Sequence, residues 1–307
     1  MSAALAQVYR NLAQLHEAGV PWPQAVEAAA GPRDVRFASA REALSRGQAL
    51  HEALEPVVPP IDLAALRAGE VSGRLGPALR SLADRGEAQV RRDRERRGAL
   101  AYPLLVAHVA AALFAFPDLW AGRWGRALLW ASVVLVPLHL ALWLGRKARR
   151  EAEESPSLSG AGWRAVFRTP AAVEEADARA LQALAWLHDA GVPPLEALPL
   201  AARAGGGGRV AADFVDAEAS VRAGRPVTST LSRTPPEIAA SLAVGEAAGA
   251  FTPSLVRAAN DLEERAAYRR KRFAAALPVV VTLAIGAVVA WRVISFYGAM
   301  YRDLGRF

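Results

Sequence analysis

Apolar positions recur at helical spacing along most of the chain and never sustain a period-2 run. Over residues 5–18 they fall at Leu5, Val8, Leu12 and Leu15, one stripe of a 3.6-residue period. Gly19 then stops the helix, and Val20-Pro21 starts the next one, since a proline in a first turn lacks only an N–H that would have had no partner there. Shorter helical stretches are predicted from Val35 to Leu44 and from Leu50 to Leu54. A break at Pro56 to Pro60 precedes a helix from Ile61 to Ala68. That helix is expected to end in a turn at Gly69-Glu70-Val71-Ser72-Gly73, after which a long helix begins near Leu75. The order then returns, with apolar stripes at Ala178 to Leu187, Leu195 to Leu198, Phe214 to Val221, Ile238 to Leu242 and Leu255 to Leu262.

The return is an internal duplication. Leu15 to Pro21 matches Leu187 to Pro193 at an offset of 172, and Ala65 to Leu79 matches Ser241 to Leu255 at an offset of 176, with six of fifteen positions identical. Two matches in the same order at nearly equal offsets identify a repeated helical unit. The glycine run Gly205 to Gly208 is the candidate for the small insertion between them. It ends in Arg209 and lacks the Gly-Lys-Ser/Thr ending of a phosphate loop.

Three stretches carry no charged residue: 98–116, 127–144 and 274–291. At about 1.5 Å per residue each reaches about 27 to 29 Å, close to the hydrocarbon thickness of a bilayer, so each is predicted to span a membrane. A turn containing Pro117, Gly122 and Gly125 joins the first two, and Trp120, Trp124, Trp130 and Trp143 sit where interfacial aromatics belong. Positive residues number fifteen beside one set of ends (Arg85 to Arg97, Arg146 to Arg150, Arg265 to Arg272) and five beside the other. This asymmetry places both repeats in the cytoplasm. The resulting expectation is an all-α membrane protein. A first cytoplasmic bundle of about six helices covers 1–97, a transmembrane hairpin 98–145, a linker 146–164, a second bundle 165–273, a third transmembrane helix 274–297 and a non-cytoplasmic tail 298–307.

Composition narrows the chemistry. The net charge of +7 is nearly all arginine, with lysine only at Lys147 and Lys271, and the arginines flank apolar segments instead of forming a stripe for nucleic acid. Cysteine is absent, which removes disulfides, thiolate metal sites and thiol nucleophiles. Met1 to Ala4 lacks the pattern of a signal peptide.

Glu70 and Glu246 are the acidic residues the repeat singles out. Each could satisfy exposed backbone N–H groups, pair with an arginine of its own bundle, or contact a partner or cation. Gly69, Gly73, Gly245 and Gly249 are expected to supply turn geometry around them. Gly19 with Pro21 and Gly191 with Pro193 define two helix-hairpin turns, and His16 and His188, just before those turns, read as helix C-terminal histidines. His108, His139 and Ser132 lie within apolar stretches, where polar groups are candidates for function; they raise an alternative, a small intramembrane Ser/His hydrolase.

Two copies of a helical unit, each with an Ala-Gly-Val-Pro turn and a Gly-Glu-x-x-Gly motif, combined with three apolar stretches, resemble the GspF/PilC family. These are the inner-membrane platform proteins of type II secretion systems and type IV pili. The resemblance covers about Leu5 to Phe296. It implies a non-enzymatic, homo-oligomeric scaffold without cofactor, in a bacterial inner membrane and contacting its lipid. It further implies contacts with a hexameric cytoplasmic assembly ATPase, with pilin or pseudopilin subunits and with other inner-membrane assembly proteins. Many members begin with a further segment that is missing here, and Ala247-Ala248, Ala250 and Phe251 make the second motif looser.

Overall fold

A computed structural model describes the backbone of residues 3–31, 34–120, 122–129 and 170–304, with single positions between 131 and 143. Side chains are described for these except 3, 92–103, 114, 117 and most positions beyond 272. All regular structure among the described residues is helical. The first copy contains α1 (Ala3–Glu17), α2 (Trp22–Ala30), a 3-10 turn (Val35–Phe37), α3 (Ala38–Ser45), α4 (Leu50–Leu54), α5 (Pro60–Val71) and α6 (Leu75–Trp120). The second contains α7 (Pro170–Asp189), α8 (Pro194–Gly205), α9 (Arg209–Arg222), a 3-10 turn (Val227–Thr230), α10 (Pro236–Ala247) and α11 (Phe251–Leu304). In chain order α1 corresponds to α7, α2 to α8, α3 to α9, α4 to the second 3-10 turn, α5 to α10 and α6 to α11.

The chain divides into two compact units. One comprises Met1–Asp93 and Glu151–Ala267, the other Arg94–Arg150 and Tyr268–Phe307. In the first unit each copy builds its own core. Tyr9, Leu12, Phe37, Leu54, Leu66 and Leu79 anchor the first copy; Leu181, Leu187, Leu198, Phe214, Leu242 and Leu255 anchor the second. The helix α5 serves both. Leu63 and Leu66 point into the first core, while Ala64 and Ala68 on its other side belong to the second, where α5 lies against α7 and α8. Trp186 packs against both cores, and the Arg85 guanidinium sits 4.1 Å above its ring centre. Ion pairs from Arg67 to Glu196 (3.1 Å) and from Arg203 to Glu55 (2.5 Å) cross between the copies. Both are partly exposed, so they set register more than they add stability.

In the second unit, α6 runs on through Pro117 to Trp120, past the position where the sequence suggested a turn. The reversal comes at Gly122, with φ of +68°. Its N–H bonds to Leu119 O (3.0 Å) and the Arg123 N–H to Asp118 O (2.8 Å). Asp118, fully buried, pairs with Arg123 at 3.0 Å and Arg126 at 3.2 Å. Removing a carboxylate from water is costly unless it is paired, and the two guanidiniums fix the turn by pairing it. Large apolar side chains face outward in this unit: Leu113, Leu128 and Ile294 are 67%, 70% and 72% exposed. Among the described residues no helix is long and apolar enough to cross a membrane. The stretches 98–116, 127–144 and 274–291 fall partly or mostly outside the described side chains, and the linker 146–164 and residues 305–307 lie outside the described residues.

Close helix approach at the motif's first glycine yields a prediction. A Cβ built on Gly245 would lie 2.5 Å from the Cβ of Ser254, an atom that rotamer change cannot move; on Gly69 it would meet Ala78 Cβ at 2.8 Å. Gly245→Ala should destabilise the first unit by about 1–3 kcal/mol, the usual cost of overpacking. Adding Ser254→Gly should recover most of the loss in thermal unfolding; a single variant as stable as the parent would refute the tight contact.

Candidate functional site

The Gly-Glu-x-x-Gly motif is a helix end, not the free-standing turn the sequence suggested. The helix α5 continues to Val71 and α10 to Ala247, so each glutamate occupies a last helical turn. The reason is the capping pattern. The Gly73 N–H reaches Glu70 O (3.2 Å) and the Arg74 N–H reaches Gly69 O (2.8 Å); at Gly249 and Ala250 the equivalent bonds to Glu246 O and Gly245 O measure 3.2 and 2.8 Å. This pair of bonds needs four helical residues followed by one with positive φ, and Gly73 and Gly249 have φ of +68° and +69°. Turn geometry therefore rests on the second glycine. The first, buried in both copies, permits the helix contact described above. Gly19 and Gly191 close α1 and α7 by the same bond pattern, while Pro21 and Pro193 are the N-cap residues of α2 and α8.

Each motif glutamate reaches back about twenty residues to a short helix of its own copy. Glu70 Oε1 accepts from the Leu50 N–H (2.6 Å) and, more weakly, the His51 N–H (3.4 Å); its Oε2 meets His51 Nδ1. Glu246 accepts from the Val227 N–H (2.9 Å), the Thr228 N–H (3.1 Å) and the Thr228 hydroxyl (2.6 Å). The residue before α4 is Ala49 and the one before the second 3-10 turn is Pro226, and neither provides a side-chain cap. Orphan N–H groups at those starts need an acceptor, and a negative one suits the positive end of a helix. The two glutamates do not converge; each is engaged within its own copy.

Two buried aspartates, which the sequence reading passed over, do similar work in the second copy. Asp177 accepts from the Val210 N–H (3.0 Å) and pairs with Arg209, holding the start of α9. Asp213 accepts from the Arg233 and Thr234 N–H groups and the Thr234 hydroxyl, organising the segment before α10. The glycine run serves that packing: a Cβ on Gly205 would strike Ala180 at 2.7 Å, and one on Gly208 would strike Asp177 Oδ1 at 2.7 Å. In the first copy Asp62 is buried and accepts from the Tyr9 hydroxyl at 2.8 Å. Burial pushes its carboxyl up to about 6, against the opposing pull of the Tyr9 hydrogen bond and the Arg85 charge; burial and the facing carboxylate raise Tyr9 well above its ordinary value. At the repeat-related positions stand Leu181 and Ile238, both buried. A lone acidic residue inside an apolar helical stretch, as in Pro-Ile-Asp-Leu-Ala or Ala-Ala-Asp-Phe-Val, is the signal that could have marked Asp62 and Asp213.

His16 stacks on Trp22 at 4.8 Å; His188 bonds Thr252 through Nδ1 at 2.8 Å and meets Phe251 edge-on. His108 and His139 come together, rings 5.4 Å apart. Each uses Nδ1 on a carbonyl four residues back, and Ser132 Oγ donates to Leu129 O. A nucleophilic serine requires a hydrogen bond to its base, and none links Ser132 to a histidine among the described residues. No group of three or more His, Asp or Glu among those residues is arranged to hold a metal ion. Beside Glu246 lies a depression of about 360 Å³ walled by Arg225, Thr228, Ala243 and Ala247.

A family model described as type II secretion system (T2SS), protein F matches residues 8–116 and 180–299. The chain belongs to this family. The two matched segments begin at Val8 and Ala180, positions related by the offset of 172, so the family unit is the repeat itself. The Type II secretion system protein F of Pseudomonas aeruginosa is 27% identical over 330 residues, covering 93% of this chain and 79% of that protein. Its namesake in Xanthomonas campestris pv. campestris is 29% identical, covering 98% of this chain and 82% of its own length.

The hydrogen-bonded carboxylates give two expected outcomes. Glu70→Ala and Glu246→Ala should each cost about 1–2 kcal/mol, the scale of a lost helix cap. Faster amide hydrogen exchange should be confined to Leu50–His51 in one variant and Val227–Thr228 in the other; unchanged exchange there would refute the cap. For Asp62, the unfolded carboxyl ionises near 3.9 and the folded one near 6, so the folded chain holds the extra proton between those values. Stability must fall as pH rises through that window, by about 3 kcal/mol once complete. Tyr9→Leu with Asp62→Ile, the residues of the second copy, should remove this slope. A wild-type minus variant difference in Tm that stays flat from pH 4 to 7.5 would contradict it.

Proposed function

We propose that this chain is a non-enzymatic inner-membrane platform of a type II secretion or type IV pilus assembly machine, coupling a cytoplasmic assembly ATPase to polymerisation of pilins or pseudopilins. The observation that carries the reading is the family match over both copies, which begins at repeat-related residues. The use of the motif glutamates supports it: both are engaged with backbone N–H groups, the work of a rigid scaffold. The outward apolar side chains of the second unit support insertion in lipid, because soluble surfaces rarely carry contiguous apolar patches of that kind. In this reading the spans are 98–116, 127–144 and 274–291. Both helical bundles, 1–97 and 165–273, are cytoplasmic, joined through the linker 146–164, and the tail 298–307 lies on the other side.

Two measurements test it. Detergent-solubilised full-length protein, co-expressed with the assembly ATPase of its own machine, should retain that ATPase through purification; failure to do so, even after crosslinking in cells, would reject the coupling. Because the chain has no cysteine, Arg74→Cys, Arg222→Cys and Gly305→Cys can each be probed with a membrane-impermeant thiol reagent. Only the last should react from outside intact inner-membrane-exposed cells. Labelling of either bundle position would reject the proposed topology.

A further inference from the structure

We infer that the outer face of α10 docks on the α1–α2 face of a second copy of this chain, continuing head to tail the contact that joins the two repeats within one molecule. The duplicated helices α5 and α10 have different surroundings. Their inward faces match, Leu66 with Leu242 and Gly69 with Gly245, all buried. Their outward faces do not match in environment. Ala64 and Ala68 are 0% and 7% exposed because the second copy covers them, whereas their counterparts Ala240 and Val244 are exposed, Val244 by 70%. The outward side of α10 reads Ala240, Ala243, Val244 and Ala247. A helix that is apolar on both sides belongs in a buried place.

What covers it follows from the kind of contact the repeats make. The helix α5 rests on α7 and α8, but α10 makes no comparable contact with α1 or α2 of the same molecule among the described residues. The contact is therefore heterologous, and one operation of that kind leaves a complementary pair of surfaces at its two ends. One end is the bare face of α10; the other is α1 with α2, the counterparts of α7 with α8. Charges across the two contacts agree. Where the internal contact sets Arg67 against Glu196, the open ends offer Ala243 and Gln24; where it sets Glu55 against Arg203, they offer Leu231 and Gly31. Both members of each pair have become uncharged together, so docking leaves no unpaired ion at these positions. The depression beside Glu246, with Ala243 and Ala247 in its wall, borders the same face.

The absence of native cysteine makes the test direct. In membranes holding the full chain, Gln24→Cys with Ala243→Cys should give a ladder of dimers and higher species with a short bis-thiol reagent. Arg67→Cys with Glu196→Cys, the internal pair, should link within one chain and serves as the control. Adding Val244→Lys should abolish the ladder while leaving the helical signal and the internal link intact. The inference is overturned if the control links and the Gln24–Ala243 pair does not. It is equally overturned if Ala243→Cys alone pairs with itself, or if it links only to a different polypeptide. It stands apart from the ATPase coupling: a lost ladder with the ATPase retained rejects the docking alone, and the converse rejects the coupling alone.

Discussion

A backbone N–H removed from water must find an acceptor, and in this bundle many helix starts have none of their own. The residues before α2, α4, α5, α8, α9 and α10 are Pro21, Ala49, Pro59, Pro193, Gly208 and Pro235, and none offers a side-chain cap. At the starts of α4 and α9, and at the second 3-10 turn, carboxylates from distant positions serve instead. Glu70 holds α4, Glu246 holds the second 3-10 turn, and Asp177 holds α9. Short elements such as α4, only five residues long, cannot persist on propensity alone. Their place depends on being tied by charge to a longer helix.

The second organising fact is that α5 lies in two cores at once. With Leu63 and Leu66 on one side and Ala64 and Ala68 on the other, it can present no solvated stripe, and its weakly amphipathic sequence reflects that. The small residues on the second side let α7 and α8 come near. The copies therefore form one unit in which the stability of each rests partly on the other, with Trp186 and Arg85 sealing the edge.

Much of this was legible in the residues. Periodicity located the helices, and the offsets of 172 and 176 located the copies, because helical stripes and closing glycines are local signals. The family resemblance rested on those same motifs and agrees with the family match. The sequence did not reveal which of two glycines in a motif turns the chain and which makes room. That depends on Ser254 and Ala78, which arrive from the following helix. Nor did it reveal the targets of Glu70 and Glu246, since a carboxylate meeting an N–H some twenty residues earlier leaves no periodic trace. Asp177 was missed because burial of a charge is a property of the assembled bundle, whereas Asp62 and Asp213 stand as lone acids in apolar stretches, a local mark that periodicity alone does not weigh.

The uneven duty of α5 and α10 also explains how the halves have drifted apart. Identity survives at Leu66 and Leu242, at the glycines and glutamate of the motif, and at Leu79 and Leu255, places where both helices meet their own core or close their own end. It is lost at Ala68 and Val244, at Arg67 and Ala243, and at Asp62 and Ile238, where the two helices have different neighbours. Resemblance between the halves thus traces the obligations they still share, and the mismatches at Ala68 and Val244 and at Arg67 and Ala243 mark one ancestral surface that has acquired two separate histories.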